Sequence, residues 1–267
     1  MKVSTALVGA GCAGLCVFLT YLDAQLGYAA LFSAVFFAIR SLVVPYLSST
    51  YVAAYREQKL EFATLENRLL WSNTAVSLIH SCLSSALSVF VLFFTPIDDW
   101  IHSCSTAALI CLSLSTGYFI YDFYDMVAGD LWQRAAGILV HHIMVVTCYV
   151  AALHYHVAVP FLVVMLLLEI NSICLHARKL MSMVGFTMLD RVYGLAWQAL
   201  WMTFYTTRVL VPLGVHVGVF LDRDRFPHLM QFITAFLGTS VLHVLNFMVY
   251  QGCSKAYSKE LKAKRTA

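Results

Sequence analysis

The sequence predicts an all-α polytopic membrane protein. Three observations carry that prediction. Hydrophobic residues make up 61% of the 267 and charged residues only 12%, mean hydropathy is +0.78, and the apolar residues come in runs of about 20, the length a helix needs to cross the hydrocarbon core. A soluble domain carries roughly a quarter charged residues and could not bury this much apolar surface. Soluble enzymes, disordered tails and nucleic-acid modules are excluded together. The net charge of +3 is too small to mark a polyanion-binding surface.

Eight segments are long and apolar enough, or nearly so. The first, Val3–Leu22, follows Lys2 and reads as an uncleaved helix or as a signal peptide; the lack of a small-x-small cleavage site after it favours the helix. Gly27–Leu47, Leu70–Phe94 and Cys104–Tyr124 follow. Gly137–Leu153 and Val157–Leu175 are parted only by His154, Tyr155 and His156, so they form a tight helical hairpin. Val192–Gly214 and His228–Tyr250 complete the set. All must be helical, because backbone groups in lipid have to be satisfied within the segment. The loop Ser48–Asn67 mixes charge signs and is expected to lie as an interfacial helix.

Positive residues set the orientation. With eight spans one side holds 13 Lys and Arg, among them Arg56, Lys59, Arg68, Arg178, Lys179, Arg191 and the C-terminal Lys255, Lys259, Lys262, Lys264 and Arg265. The other side holds only Arg223 and Arg225, while Arg40 and Arg208 fall inside spans. Both termini are therefore expected in the cytoplasm, with the basic tail against anionic headgroups. Of the eight cysteines, Cys12, Cys16, Cys82, Cys111, Cys148 and Cys174 lie within apolar runs and form no CxxC pair; they read as small buried packers.

Ionisable side chains inside spans are costly, so each is a candidate functional group. The set is His80, Asp122, Asp125, His141, His142, Glu169 and Arg208, with Asn73, Asn171 and Asn246 as neutral companions. Asp122 and Asp125 end the fourth span one turn apart, either as a functional pair or as a cap in the headgroup layer. Adjacent His141 and His142 point about 100° apart, so at most one faces a common cavity; His142 is expected to face it and His141 to face the packing side. Arg208 is expected deeper, toward the opposite leaflet. No histidine lies three or four positions from the 141–142 pair, so the arrays of a membrane di-iron enzyme are missing and no metal is expected. A histidine, a carboxylate to orient it and a hydrophobic slot suffice for acyl transfer. The candidate catalytic residues are His142, His141, Glu169 and Asp122, and the candidate substrate-binding residues are His80, Asp125, Asn171, Arg208 and Asn246.

Several of these residues stand in a pattern. Gly117-Tyr118-Phe119-Ile120-Tyr121-Asp122-Phe123-Tyr124-Asp125, Val140-His141-His142-Ile143-Met144 and Leu168-Glu169-Ile170-Asn171-Ser172 occur in this order, with Arg178 closing the last helix. Trp71-Ser72-Asn73, Ser77 to Ser81, Arg191-Val192-Tyr193 and Thr207-Arg208 flank them. Together they resemble the TLC domain, shared by ceramide synthases, translocating-chain-associated proteins and the TLC-domain-containing proteins. The resemblance divides the chain into N-terminal helices and linker over 1–65, a TLC domain over 66–252 and a basic tail over 253–267. It implies a seven-helix TLC-type core plus one N-terminal helix.

The chain is most similar to the small TLC-domain proteins that control phospholipid composition and fluidity. That resemblance implies a plasma-membrane protein, with the endoplasmic reticulum as a further site, that limits polyunsaturated chains in phospholipids, chiefly phosphatidylethanolamine. No cofactor is implied, and acyl-CoA is the donor that acyl transfer would use. In ceramide synthases the motif of the sixth segment is His-Asp-x-x-Asp, whereas here Leu168 replaces the histidine and Ser172 the second acid. Sphingoid-base acylation loses two ionisable groups by this change. Two other readings stand beside the lipid-composition role: a lipid-binding scaffold without turnover, and a proton-coupled carrier using Glu169, Asp122 and His80. The carrier reading ranks last, since the chain lacks internal repeats and has only five prolines.

Overall fold

The structure is a computed structural model and describes residues 23–48, 65–129, 131 and 136–266. Seven helices cover these residues: α1 (Ala24–Leu47), α2 (Leu65–Phe94), α3 (Thr106–Ala128), α4 (Ala136–Tyr155), α5 (Val159–Met183), α6 (Arg191–Leu221) and α7 (Leu229–Thr266). No strand occurs among the described residues. Six of the helices are long and apolar enough to span a membrane, and α4 carries a shorter apolar stretch, Leu139–Tyr155. The seven match the second to eighth predicted spans. The predicted first span, Val3–Leu22, and most of the predicted interfacial helix lie outside the described residues.

The ends of the helices differ from the hydropathy reading in a way that matters. Hydropathy stops at the first charge, whereas the backbone continues as long as its groups can pair. Thus α3 runs on to Ala128, placing Asp122 and Asp125 within the helix and not at its end. Helix α5 reaches Met183, past Arg178 and Lys179. Helix α7 continues through the basic tail to Thr266, and Asn246 lies well inside it. The chain alternates direction, so the basic ends of α2, α5, α6 and α7 gather at one face; the turns before α3 and α5 and the segment Arg223–Arg225 mark the far face.

Small residues set the closest packing. A Cβ on Gly117 of α3 would stand 2.4 Å from the Ala29 carbonyl oxygen and 2.7 Å from Ser33 N. Ala29 and Ser33 on α1 and Ser113 and Gly117 on α3 are spaced four apart, so each helix offers a groove of small residues to the other, the usual device where lipid supplies no hydrophobic drive. Phe36 and Val44 of α1 join the same buried core as Val76, Leu112, Tyr118 and Tyr149. The α4–α5 hairpin turns sharply because His156 and Ala158 adopt positive φ (54° and 59°), and the Ala158 N–H is held by the Ile101 carbonyl at 2.8 Å. Of the cysteines among the described residues, Cys111 and Cys253 are buried, while Cys82 is exposed, contrary to the expectation for it; Cys12 and Cys16 lie outside the described residues.

Two helices contain a wide π-helical turn just before a proline: Ile39–Val43 before Pro45, and Phe204–Leu210 before Pro212. Proline lacks an N–H and frees the carbonyl four residues back. For Pro212 that carbonyl belongs to Arg208, and Asn246 Nδ2 donates to it at 2.9 Å. Each wide turn carries one of the two in-span arginines, Arg40 and Arg208.

Candidate functional site

The predicted polar residues form two linked groups. At the level nearer the basic face, Asn73 Nδ2 on α2 donates to Asp122 Oδ1 (2.6 Å) and Asp125 Oδ2 (3.1 Å) on α3. Arg40 on α1 pairs with the other oxygen of Asp125, and His142 Nε2 on α4 meets Asp122 Oδ2 at 3.3 Å. Both aspartates and His142 are buried. The carboxylates therefore tie four helices together and are not caps in a headgroup layer. Nδ1 of His142 is buried with no partner.

The second group lies near mid-bundle. Ser81 Oγ donates to Glu169 Oε2 at 2.7 Å, and His80 Nδ1 stands 3.9 Å from the same oxygen. The His80 ring is stacked on Tyr118, with centroids 3.7 Å apart and planes within 6°, and its Nε2 faces Ser115 Oγ at 3.4 Å. Arg208 on α6 spreads its guanidinium across two helices: Nε to Asn171 Oδ1 (2.7 Å), Nη2 to Ser172 Oγ (2.8 Å) and Nη1 to Asn246 Oδ1 (3.1 Å). These bonds put Arg208 level with Asn171 and Asn246, not deeper toward the opposite leaflet. The π-helical turn shifts the helical register and turns its side chain inward.

Between α4, α5, α6 and α7 lies an elongated apolar cavity of about 230 Å³. Its wall is formed by Met144, Val145, Cys148, Phe161, Met165, Leu168, Val215, Val219, Gly238 and Leu242, among others. Its ionisable residues, His141, Glu169 and Arg208, gather at the inner end, and Thr234 and Thr239 add hydroxyls along the wall. Tyr155, Phe226, Met230 and Gln231 line the far end. From His141 to Tyr155 α4 advances about 21 Å at 1.5 Å per residue. The cavity is thus a slot with a mainly apolar shaft, ionisable groups at its inner end and Tyr155 and Gln231 at the other.

The histidine facing the slot is His141, the reverse of the expectation from sequence. His142 points to Asp122, and the roughly 100° between neighbours on a helix leaves His141 toward the slot. Nδ1 of His141 has no hydrogen-bond partner. Sequence reasoning also passed over His176. It stands seven residues after Glu169, so the two share a face of α5, and it lies within electrostatic reach of Lys179 and Arg208. Its heptad spacing from Glu169 was the available signal, hidden by a predicted span that ended at Leu175.

The histidine pair of α4, the carboxylates of α3 and α5 and the arginine of α6 converge in the order in which the sequence motifs occur. A family model described as the TLC domain matches residues 70–251. The chain belongs to the TLC-domain family. Among its relatives, TLC domain-containing protein 2 of Danio rerio is 29% identical over 198 residues, covering 69% of this chain and 75% of the relative. The protein of the same description from Homo sapiens is 35% identical over 157 residues, 51% of this chain and 58% of the relative. TLC domain-containing protein 1 of Homo sapiens is 31% identical over 118 residues, 42% and 46% of the two chains. This chain thus spans about half to three quarters of these relatives. No solved structure matches it. The TLC domain as matched begins within α2, yet α1 supplies Arg40 to Asp125 and packs on Gly117, so the polar centre needs a helix from outside the matched range.

Proposed function

We propose that this TLC-domain protein sets the acyl composition of membrane phospholipids, limiting polyunsaturated chains, chiefly in phosphatidylethanolamine, at the plasma membrane. One observation carries the reading: a slot shaped for a single acyl chain ends on His141, Glu169 and Arg208. An acyl chain laid along the shaft brings its carbonyl to that polar end. Arg208 has five N–H donors and spends three on Asn171, Ser172 and Asn246. The remaining two suit a carbonyl oxygen on which negative charge develops.

The chemistry this arrangement fits is acyl transfer. The His141 imidazole serves as base, taking the proton from the hydroxyl of a lysophospholipid as that oxygen attacks the acyl carbonyl. The donor's bond to its leaving group breaks, and the imidazolium returns its proton to the leaving group. Acyl-CoA is the donor that fits this balance. Asp122 positions His142, which packs beside His141 with ring centroids 5.7 Å apart. Ser81 and His80 position Glu169. His142 and Asp122 are accordingly positioning residues, and Asn73, Asp125 and Arg40 brace them. The basic face of the bundle is read as cytoplasmic from its excess of Lys and Arg.

Deletion and rescue test the reading. Cells lacking the protein should gain polyunsaturated chains in phosphatidylethanolamine. Wild-type protein should reverse this, while His141→Ala and Glu169→Gln at equal abundance should not. Full rescue by both variants would remove the case for catalysis and restore the scaffold reading, because a protonated Glu and a Gln make similar hydrogen bonds. An unchanged phospholipid profile with depleted ceramides would instead point to sphingoid-base acylation.

A further inference from the structure

The slot is separated from the surrounding lipid by seams between neighbouring helices, and these are fastened unequally. The α6–α7 seam is held at three levels, by Trp197 Nε1 to Glu260 Oε2 (2.9 Å), by Arg208 Nη1 to Asn246 Oδ1 (3.1 Å) and by His216 Nδ1 to Thr239 Oγ1 (2.7 Å). The α5–α6 seam carries the Arg208 bonds to Asn171 and Ser172, together with Asn171 Nδ2 to the Leu200 carbonyl (2.9 Å). Helix α4 is tied to α3 through His142 and Asp122, and at the far face to α1 through His154 and Asp23 (3.0 Å). Between α4 and α7, among the described residues, the polar contact is a thiol: Cys148 Sγ reaches the Thr234 carbonyl at 3.9 Å. A thiol is a weak donor. The rest of that seam is small-residue and thioether packing, Gly238 against Cys148 and Gly137 against Met248.

We propose that acyl-chain amphiphiles enter and leave the slot sideways from the bilayer, through the α4–α7 seam at Cys148 and Gly238. The seam parts without breaking a hydrogen bond between nitrogen and oxygen groups. Parting leaves few orphaned polar atoms, which lipid would penalise. Both helices present slot-lining residues directly behind it, Met144, Val145 and Cys148 on α4 and Thr234, Gly238 and Leu242 on α7. A chain already dissolved in the bilayer would then slide in along its own length, with no transfer through water. The proposal rests on the slot being an acyl-chain site.

The geometry supplies its own lock. A Cβ built on Gly238 stands 2.9 Å from Cys148 Sγ, the spacing of a Cβ from its partner's sulfur across an S–S bond of about 2.0 Å. The test uses the full chain carrying Gly238→Cys in phosphatidylcholine nanodiscs doped with a diazirine-bearing palmitic acid. Photolabelling of slot peptides around Phe161 and Met165 is read by mass spectrometry. The comparison is made within the one variant: the reduced form should be labelled, the oxidised form should lose the labelling, and reduction should restore it. Gly238→Cys combined with Cys148→Ala, which cannot bridge, should label under both conditions.

Equal labelling of the oxidised and reduced bridging variant would overturn the seam while leaving the slot intact. No labelling in wild type or in any variant would overturn the acyl-slot reading and the seam with it. If Gly238→Cys fails to accumulate, wild-type protein carries the test. A maleimide dissolved in the bilayer should alkylate Cys148, mapped by mass spectrometry, faster than a sulfonated water-soluble one. Equal rates would place access at the aqueous far end and overturn the proposal.

Discussion

Replacing Arg208 by Met keeps an unbranched, somewhat shorter stem and removes every donor. Three interhelical hydrogen bonds disappear, to Asn171, Ser172 and Asn246. Interhelical bonds in membranes are worth about 0.6 kcal/mol on average and up to about 1.7 kcal/mol, so the loss is about 2–5 kcal/mol. Removing a buried cation offsets part of this, which places the expected destabilisation at the lower end, about 2–3 kcal/mol. Asn246 Nδ2 still donates to the backbone carbonyl at 208, so α6 and α7 should stay associated. The assay is reversible unfolding in mixed detergent and SDS micelles, with Asn171→Leu and the double variant completing a cycle. The two changes should be less than additive, because Asn171 loses its strongest partner when Arg208 is gone. An Arg208→Met protein as stable as wild type, or strict additivity, would refute the view that Arg208 holds the inner end of the slot together.

Four further outcomes follow from the same contacts. Gly117→Ala should lower the thermal midpoint measurably and Gly117→Leu should prevent accumulation, since Ala29 and Ser33 leave no room for a Cβ; unchanged melting of Gly117→Ala would contradict the α1–α3 packing. Asn73→Leu should destabilise the protein by about 1–3 kcal/mol, by orphaning an acceptor on each aspartate, and Asn73→Asp should be worse because it adds a third carboxylate; a milder Asn73→Asp would count against the charge argument. His142→Ala should reduce turnover without abolishing chain binding, whereas Ala151→Phe, which fills the slot because Ala151 lines it, should abolish binding, the binding read by the photolabelling described above; the opposite order would exchange the roles given to the two groups.

The fourth outcome concerns the far face. The N–H of Ile101 above all, then that of His102 and the Arg225 guanidinium, hold the Asp99 carboxyl below its ordinary 3.8. A depressed carboxylate contributes stability above the unfolded value and loses it as pH falls through the folded one. The clamp from Asp99 to Arg225 should therefore persist from pH 8 to pH 5. Hydrogen exchange of 98–103 that rises between pH 7 and pH 5 would contradict it.

Seven spans were legible because hydropathy and helix length respond to the same quantity, the apolar thickness to be crossed. The polar side chains were legible as a set for the converse reason, since an ionisable group in lipid needs a partner, and Asp122, His142, Glu169 and Arg208 each have one. Which partner was not legible. The 100° between His141 and His142 shows that they diverge, but only the position of Asp122 on the neighbouring helix decides which one turns away from the slot. The depth of Arg208 was misjudged because the sequence counts residues from a span's edge, whereas α6 runs on through Pro212 with a π-helical turn. Arg40 was visible as a charge in a span, and its match to Asp125 required knowing that α1 lies against α3. His176 was missed because the apolar run stops before the helix does.

The central claim is that the slot ending on His141, Glu169 and Arg208 holds one acyl chain. Its most direct test is the lipid retained by full-chain protein purified from its membrane, extracted and weighed by mass spectrometry beside Ala151→Phe. The account predicts an acyl-chain lipid bound in a fixed ratio to wild-type protein and absent from the slot-filled variant. Equal retention by both proteins, or a wild-type protein that carries no acyl lipid, would contradict it.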